Sequence, residues 1–309
     1  MSANPKPTPR PVQSHAHAHS HAPVPAPAPA ARGFTLIELV ITLVVMGVLA
    51  AMLVVFFRPA LSIFASTRER SRLLSETDQA VGRLVRDVRS AVPNSLRSPA
   101  SNCVELVPTI AGGRYRMASD TVNAGSATVD PSTTTTSFDV LSTMATLPQA
   151  NDWVVVDNQN PGDVYSGSNR SRITGISTPS ALHGKHRVAI NALQFPPGYD
   201  GGRFAVVPDN QQAVFYVCSG ASATLDSQGN APGTLVRLKA YGFNASAPGA
   251  CPSTAGGDLL ARNLRSCRFL YDPNQGATQQ SGFLSVQLEL TRNNETASLL
   301  VGAHVANVP

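Results

Sequence analysis

Twenty-four consecutive residues, Phe34 to Phe57 (FTLIELVITLVVMGVLAAMLVVFF), carry a single charge, Glu38, and nothing else in the chain restricts its fate so severely. As an α-helix rising 1.5 Å per residue the run spans about 36 Å, enough to cross a bilayer with some tilt. A cleaved secretory signal would have an apolar region about half as long, closed by an A-x-A-like site that is not evident here. The run therefore predicts a membrane-crossing helix. Glu38 then needs a reason, because an acidic side chain costs about 2.5–3.5 kcal/mol at the centre of such a helix and some fraction of that near an end.

The sequence changes character on both sides of this run. Residues 1–33 form a low-complexity leader, with SHAHAHSHA at Ser14 to Ala22 and PVPAPAPAA at Pro23 to Ala31, a composition that cannot build a core. His15, His17, His19 and His21 alternate and are able to converge on a soft divalent ion, but they read first as part of a soluble tail. After Arg58 and Pro59 the helical pattern resumes with one apolar stripe, Leu73, Ala80, Val81, Leu84, Val88 and Ala91. Arg70, Arg72, Glu76, Arg83, Arg86 and Asp87 lie mostly off it. This predicts an amphipathic continuation over 58–98, kinked at Pro59, with the helix running to about Val92 and stopped by Pro93 and Asn94.

A β-rich globular domain is predicted over 99–309. Short strand signals at Val104 to Val107, Phe138 to Leu141, Trp153 to Val156, Ala213 to Val217 and Thr234 to Tyr241 are divided by Gly, Pro, Asn and Ser clusters. Leu284, Val286, Leu288 and Leu290 alternate with Ser285, Gln287, Glu289 and Thr291. The RNNE segment Arg292 to Glu295 then leads into a returning strand, Ala297 to Val305, which makes a hairpin in an antiparallel sheet. The Gly/Ser-rich segment 119–136, ending in STTTT at Ser132 to Thr136, reads as an exposed loop. Tyr199 to Gly202 and Tyr271 to Asn274 read as ordinary turns rather than calcium loops. The fold class is α+β, a long N-terminal helix packed on an antiparallel sheet.

Charge and cysteine usage narrow the function. Of the formal charge of +5, Lys6, Arg10 and Arg32 contribute three before Gly33, which leaves +2 for the rest and no basic footprint for nucleic acid. No G-x-S-x-G, P-loop, H-E-x-x-H or Rossmann glycine pattern occurs, and no metal or cofactor is implied. His183, His186 and His304 are scattered and read as surface or satisfied histidines. Cys103, Cys218, Cys251 and Cys267 contain no C-x-x-C pair; an even count in an exported domain predicts disulfides, with three pairings open.

Glu38 finds a partner if the peptide bond after Gly33 is cut. Phe34 then gains an α-amino group that is positively charged near neutral pH. Glu38, one turn on, is placed to neutralise the amine of a neighbouring helix, a pairing that sets register more dependably than it adds stability. The segment Arg32 to Val40, RGFTLIELV, resembles the type IV prepilin cleavage and methylation motif. The resemblance implies cleavage after Gly33 by a membrane aspartyl peptidase, N-methylation of Phe34 from S-adenosylmethionine, and Glu38 as the assembly carboxylate.

The segments Thr67 to Arg97, Cys103 to Pro108 (CVELVP), Ser266 to Asp272 (SCRFLYD) and His304 to Pro309 (HVANVP) are similar to the MshO family of minor pilin-like proteins of the mannose-sensitive haemagglutinin (MSHA) pilus. That likeness implies a bacterial inner-membrane, single-pass precursor with its N-terminus cytoplasmic before cleavage and its domain periplasmic, later carried into a fibre. Its partners would be the prepilin peptidase/methyltransferase, other pilins and the pilus assembly machinery. The motif alone sets this orientation, since Arg58, Arg68, Arg70 and Arg72 follow the span while only Arg32 closely precedes it. Cleavage would leave 276 of the 309 residues, more bulk than a repeating shaft subunit needs. Three readings follow: a minor pilin or pseudopilin, including the J-type minor component of a type II secretion system; an adhesin displayed at a fibre tip; and a single-span protein with an unrecognised enzyme domain.

Overall fold

The computed structural model describes residues 33–198, 201–275 and 281–307. Residues 1–32 of the leader with its four alternating histidines, half of the Tyr199–Gly202 turn, residues 276–280 and the last two residues lie outside them. The chain divides into two compact units, Met1–Pro59 and Ala60–Pro309. In the first, the described residues form the start of α1 (Leu36–Arg89), and its apolar side chains from Phe34 to Phe57 are exposed. Pro59 lies inside α1, not at a break in it.

In the second unit α1 packs by the predicted stripe. Leu73, Ala80, Val81, Leu84, Val88 and Ala91 are all buried. Thr77 lies on the same face and satisfies its hydroxyl by donating to the Leu73 carbonyl at 2.6 Å, which lets a polar residue sit in the core. The helix stops at Arg89, short of the predicted Val92. The chain there is taken over by tertiary backbone bonds: Val92 N–H donates to Val107 at 2.8 Å, Thr109 N–H donates to Ser90 at 3.1 Å, and Ala91 bridges Pro108. Asn94 then turns the chain in the left-handed region (φ 59°).

Among the described residues thirteen strands follow. They are β1 (Arg97–Ala100), β2 (Cys103–Leu106), β3 (Ala111–Arg114), β4 (Thr135–Val140), β5 (Trp153–Val156), β6 (Arg170–Ser177) and β7 (His186–Leu193), then β8 (Arg203–Val207), β9 (Val214–Ser219), β10 (Gly233–Leu238), β11 (Asp258–Gln275), β12 (Ser281–Arg292) and β13 (Glu295–Ala306). The β-rich domain thus begins at Arg97, inside the segment predicted as helical continuation. Seven strands form an antiparallel sheet in the order β1-β2-β9-β10-β11-β12-β13. Its inner face buries Leu106, Val214, Tyr216, Leu235, Phe269 and the alternating Leu284, Val286, Leu288 and Leu290 against the stripe of α1. The β12–β13 hairpin turns on Asn293 (φ 51°) and Asn294 (φ 62°). Both sit in the left-handed region that a two-residue turn between right-twisted strands requires.

Two disulfides cross-link this layer. Cys218 of β9 joins Cys267 of β11 just past the start of β10 at Gly233, and Cys103 of β2 joins Cys251 in the segment preceding β11.

The remaining six strands were only partly legible. They form a second sheet in the order β3-β8-β5-β6-β7-β4. This sheet closes on itself: Tyr115 bridges Val140, Arg116 N–H donates to Asp139 at 2.9 Å, and Leu141 N–H donates to Arg114 at 2.8 Å, so that β4 meets the end of β3. The result is a small barrel filled by Tyr115, Phe138, Val154, Ile173, Phe204 and their neighbours, with Phe138 edge-on to Phe204. Thr135 and Thr136, predicted as exposed loop, begin β4. Thr135 is buried, and Val129 from the same Gly/Ser-rich segment enters the barrel interior, because closure needs a seal that a local composition does not reveal. The barrel is inserted between β2 and β9, which are neighbours in the first sheet with Leu106 paired to Val214. Its outer residues Val155 and Val207 pack on Val92, Val107, Tyr165 and Ala213.

Candidate processing and assembly site

Gly33 and Phe34 precede the first turn of α1 in non-helical conformation, and Phe34 is 79% exposed. Helix initiation falls to Thr35, which the sequence reading passed over. The Thr35 hydroxyl accepts from the Glu38 backbone N–H at 3.3 Å, and its carbonyl accepts from Glu38 and Leu39, each at 3.1 Å. Thr35 is therefore the N-cap, and Thr35-x-x-Glu38 has the spacing of a capping box; the missed signal was the T-x-x-E pattern itself.

This geometry gives Glu38 a local contribution. An acid in the first turn meets the positive end of the helix dipole, a stabilisation of about 0.3–1 kcal/mol, which falls short of the desolvation that an intramembrane carboxylate faces. Gly33 meets no such local demand, since a Cβ built there finds no atom within 4 Å. The fold of the described residues does not need a glycine at this position.

Downstream, two buried polar clusters fix the helix and the barrel to the first sheet. Arg237 of β10 is fully buried and holds Asp87 of α1 at 2.8 Å. Asp87 also receives the Tyr216 hydroxyl at 2.7 Å, and Gln211 accepts from Arg237 at 2.6 Å. Burial, reinforced by Asp87, pushes the Tyr216 phenol well up. In the second cluster Glu105 of β2 is fully buried, 2.6 Å from Arg97 and 2.8 Å from the Tyr241 hydroxyl. Burial raises its carboxyl above the ordinary range even against those two partners. Arg97 also stacks 3.4 Å over the Tyr165 ring, while Tyr165 donates to the Ser95 carbonyl at 2.8 Å, so the seat of the barrel is tied to the end of α1.

The four predicted cysteines are brought together in two pairs, Cys103–Cys251 and Cys218–Cys267. The three scattered histidines are not brought together: His183 is buried in the loop before β7, His186 opens β7, and His304 lies on β13 edge-on to Phe283.

Residues 29–54 match the prokaryotic N-terminal methylation motif. The match ends before the β-rich domain begins. No curated protein and no solved structure matches the chain. The chain thus carries the methylation motif of type IV pilin-like proteins at the head of a helix long and apolar enough to cross a membrane, as in an inner-membrane, single-pass protein.

Proposed function

We propose that this chain is a prepilin-type precursor, cut after Gly33 and N-methylated on Phe34, that is built as a minor pilin or pseudopilin into a type IV, MSHA-like fibre and acts in its initiation. The observation that carries the reading is the coincidence of the methylation motif with a capped, wholly exposed apolar helix start whose downstream half is packed by a disulfide-bonded domain. The chemistry asks little of the chain itself. Gly33 lets an extended backbone enter the peptidase, Phe34 presents the new amine, and Glu38 supplies the carboxylate that pairs with a neighbour's amine in the bundle.

The J-type minor pseudopilin of a type II secretion system fits the same features, and the identity of the fibre that contains the protein separates the two. Tip display as a binding module is the second reading. The inserted barrel favours it, because more than a hundred residues between β2 and β9 are spent on a separate core that the helix-bearing sheet does not need. Intact-mass analysis of the membrane-extracted protein tests the main reading. A mature chain beginning at N-methyl-Phe34 is expected; an uncut chain, or one that starts elsewhere, overturns it. Mass spectrometry of sheared fibres then asks whether the protein leaves the membrane in an assembly.

A further inference from the structure

The connection between β10 and β11, residues 239–257, contains no helix or strand. A segment of that length without secondary structure is uncommon inside a compact domain and has to be held by more than its own backbone. Among the described residues, the only backbone–backbone hydrogen bond within it runs from Gly257 N–H to the Thr254 carbonyl at 3.2 Å. Side chains hold it instead. At its base Lys239 pairs with Asp258 at 2.8 Å. Tyr241 donates to buried Glu105 at 2.8 Å, and the Asn244 carbonyl accepts from Arg97 at 2.6 Å. Phe243 reaches the barrel, edge-on to Trp153 of β5 at 5.5 Å and 3.9 Å beneath the Arg170 guanidinium of β6. Cys251 then fastens the segment to Cys103 of β2. Ala240 holds a left-handed backbone (φ 60°), which any β-carbon disfavours and which persists only while its neighbours are pinned.

We propose that residues 239–257 are a redox-set strap: while Cys103–Cys251 is formed, Phe243 clamps the barrel to the first sheet, and when that bond is reduced the strap lifts and frees Trp153 and Arg170. The barrel is otherwise joined to the sheet by its two chain connections, β2 to β3 and β8 to β9, and by the seat around Tyr165. The strap is the attachment that one bond can release. Cys251 is half-buried in irregular chain, while Cys103 is fully buried, so a dithiol reductant attacks the Cys251 Sγ. The S–S bond breaks, Cys103 leaves as a thiolate and a mixed disulfide forms on Cys251. The second thiolate of the reductant then closes on its own sulfur, releases Cys251 as a thiolate and departs as the oxidised disulfide. Two electrons pass to the cysteines, which take up the two protons that the dithiol gives. Cys218–Cys267 offers no such release, because it links strands that the β9–β10–β11 ladder already holds. The strap is independent of the fibre reading and acts alike in a shaft subunit or a displayed module.

Trp153 is the single tryptophan of the chain, so its emission reports the strap directly. The full chain in detergent micelles is treated with dithiothreitol, and mass mapping after thiol labelling identifies which bond has opened. Opening Cys103–Cys251 should red-shift Trp153 emission and speed chymotryptic cleavage after Tyr241 and Phe243 at least about tenfold, with far-ultraviolet circular dichroism unchanged. Cys103→Ala combined with Cys251→Ala should show both changes without reductant. Phe243→Ala keeps the bond yet should red-shift Trp153 and leave it insensitive to reductant. Cys218→Ala combined with Cys267→Ala should keep the wild-type response. Emission and cleavage that stay constant once Cys103–Cys251 is open overturn the inference. So does a bond that resists dithiothreitol until the whole fold is lost, or a Phe243→Ala protein whose emission matches that of the oxidised wild type.

Discussion

Replacing Asp87 by alanine isolates the link between α1 and the first sheet. In the folded protein this carboxylate is the acceptor for the fully buried Arg237 and for the Tyr216 hydroxyl. Its loss leaves the guanidinium with Gln211 and the Tyr216 hydroxyl as its remaining side-chain partners, and Nη1 has none to begin with. Stranding one partner of a buried ion pair costs about 3–5 kcal/mol. The Asp87 side chain is 18% exposed and so already partly hydrated, which places the expectation at the lower end, about 3 kcal/mol. Most of that is the penalty of the stranded cation, so adding Arg237→Met to Asp87→Ala should recover stability to within about 1 kcal/mol of wild type. Urea unfolding followed by far-ultraviolet circular dichroism measures all three proteins. A loss below about 1 kcal/mol for the single variant, or a double variant no better than the single one, refutes the reasoning.

Gly33→Val should accumulate as an uncut membrane precursor although the fold has room for the side chain; a normal mature mass would show that cleavage does not depend on Gly33. Glu38→Val should be cut and inserted normally yet recruited poorly, because an unpaired Phe34 ammonium in an apolar bundle costs about 3–5 kcal/mol, or two to three orders of magnitude in association. Wild-type fibre counts by electron microscopy would refute the assembly role. Tyr115, Tyr165 and Tyr216 are buried, and burial is the main cause that raises each phenol. Their folded pKa lies above the unfolded value, so the stability they contribute is complete below pH about 10 and is lost as pH rises beyond it, at about 4 kcal/mol per pH unit for the three. A flat stability profile between pH 9 and 11, measured with roughly unit steps, would contradict that assignment. Removing the Cys103–Cys251 cross-link by paired serine substitution frees a loop of 148 residues, with a chain-entropy ceiling of about 5 kcal/mol. No change in the urea midpoint would mean that the bond adds nothing to the fold.

What the sequence disclosed followed from periodicity and local turn chemistry. The α1 stripe from Leu73 to Ala91 and the Leu284–Leu290 alternation announced themselves because each buries one face against a single partner layer. The RNNE turn was legible because Asn tolerates the left-handed backbone. The helix end at Arg89 was not, since it is set by Val107 and Thr109 bonding to Val92 and Ser90, contacts across 15 and 19 residues that periodicity in one window cannot see. The closed barrel stayed hidden for the same reason. Its β6 reads RSRITGIS and alternates weakly, and its seam is two backbone bonds between Arg114–Arg116 and Asp139–Leu141. At the N-terminus, Gly33, Phe34 and Glu38 were legible as a pattern of residue types, but the structure alone identified Thr35 as the cap.

The insertion of the barrel between β2 and β9 has a consequence for the order in which the chain can fold. Those strands pair directly, Leu106 with Val214, so their contact must close a loop of more than a hundred residues. If that loop were slack, closing it would cost about 3 kcal/mol more than closing a five-residue hairpin. A barrel that folds first brings Val107 and Ala213 together on its own seat with Val155 and Val207, and turns the distant pairing into a local one. Barrel formation should therefore precede closure of the helix-bearing sheet. Substitutions in the barrel interior, such as Phe138→Leu, should then slow the arrival of the outer sheet even though they touch none of its residues.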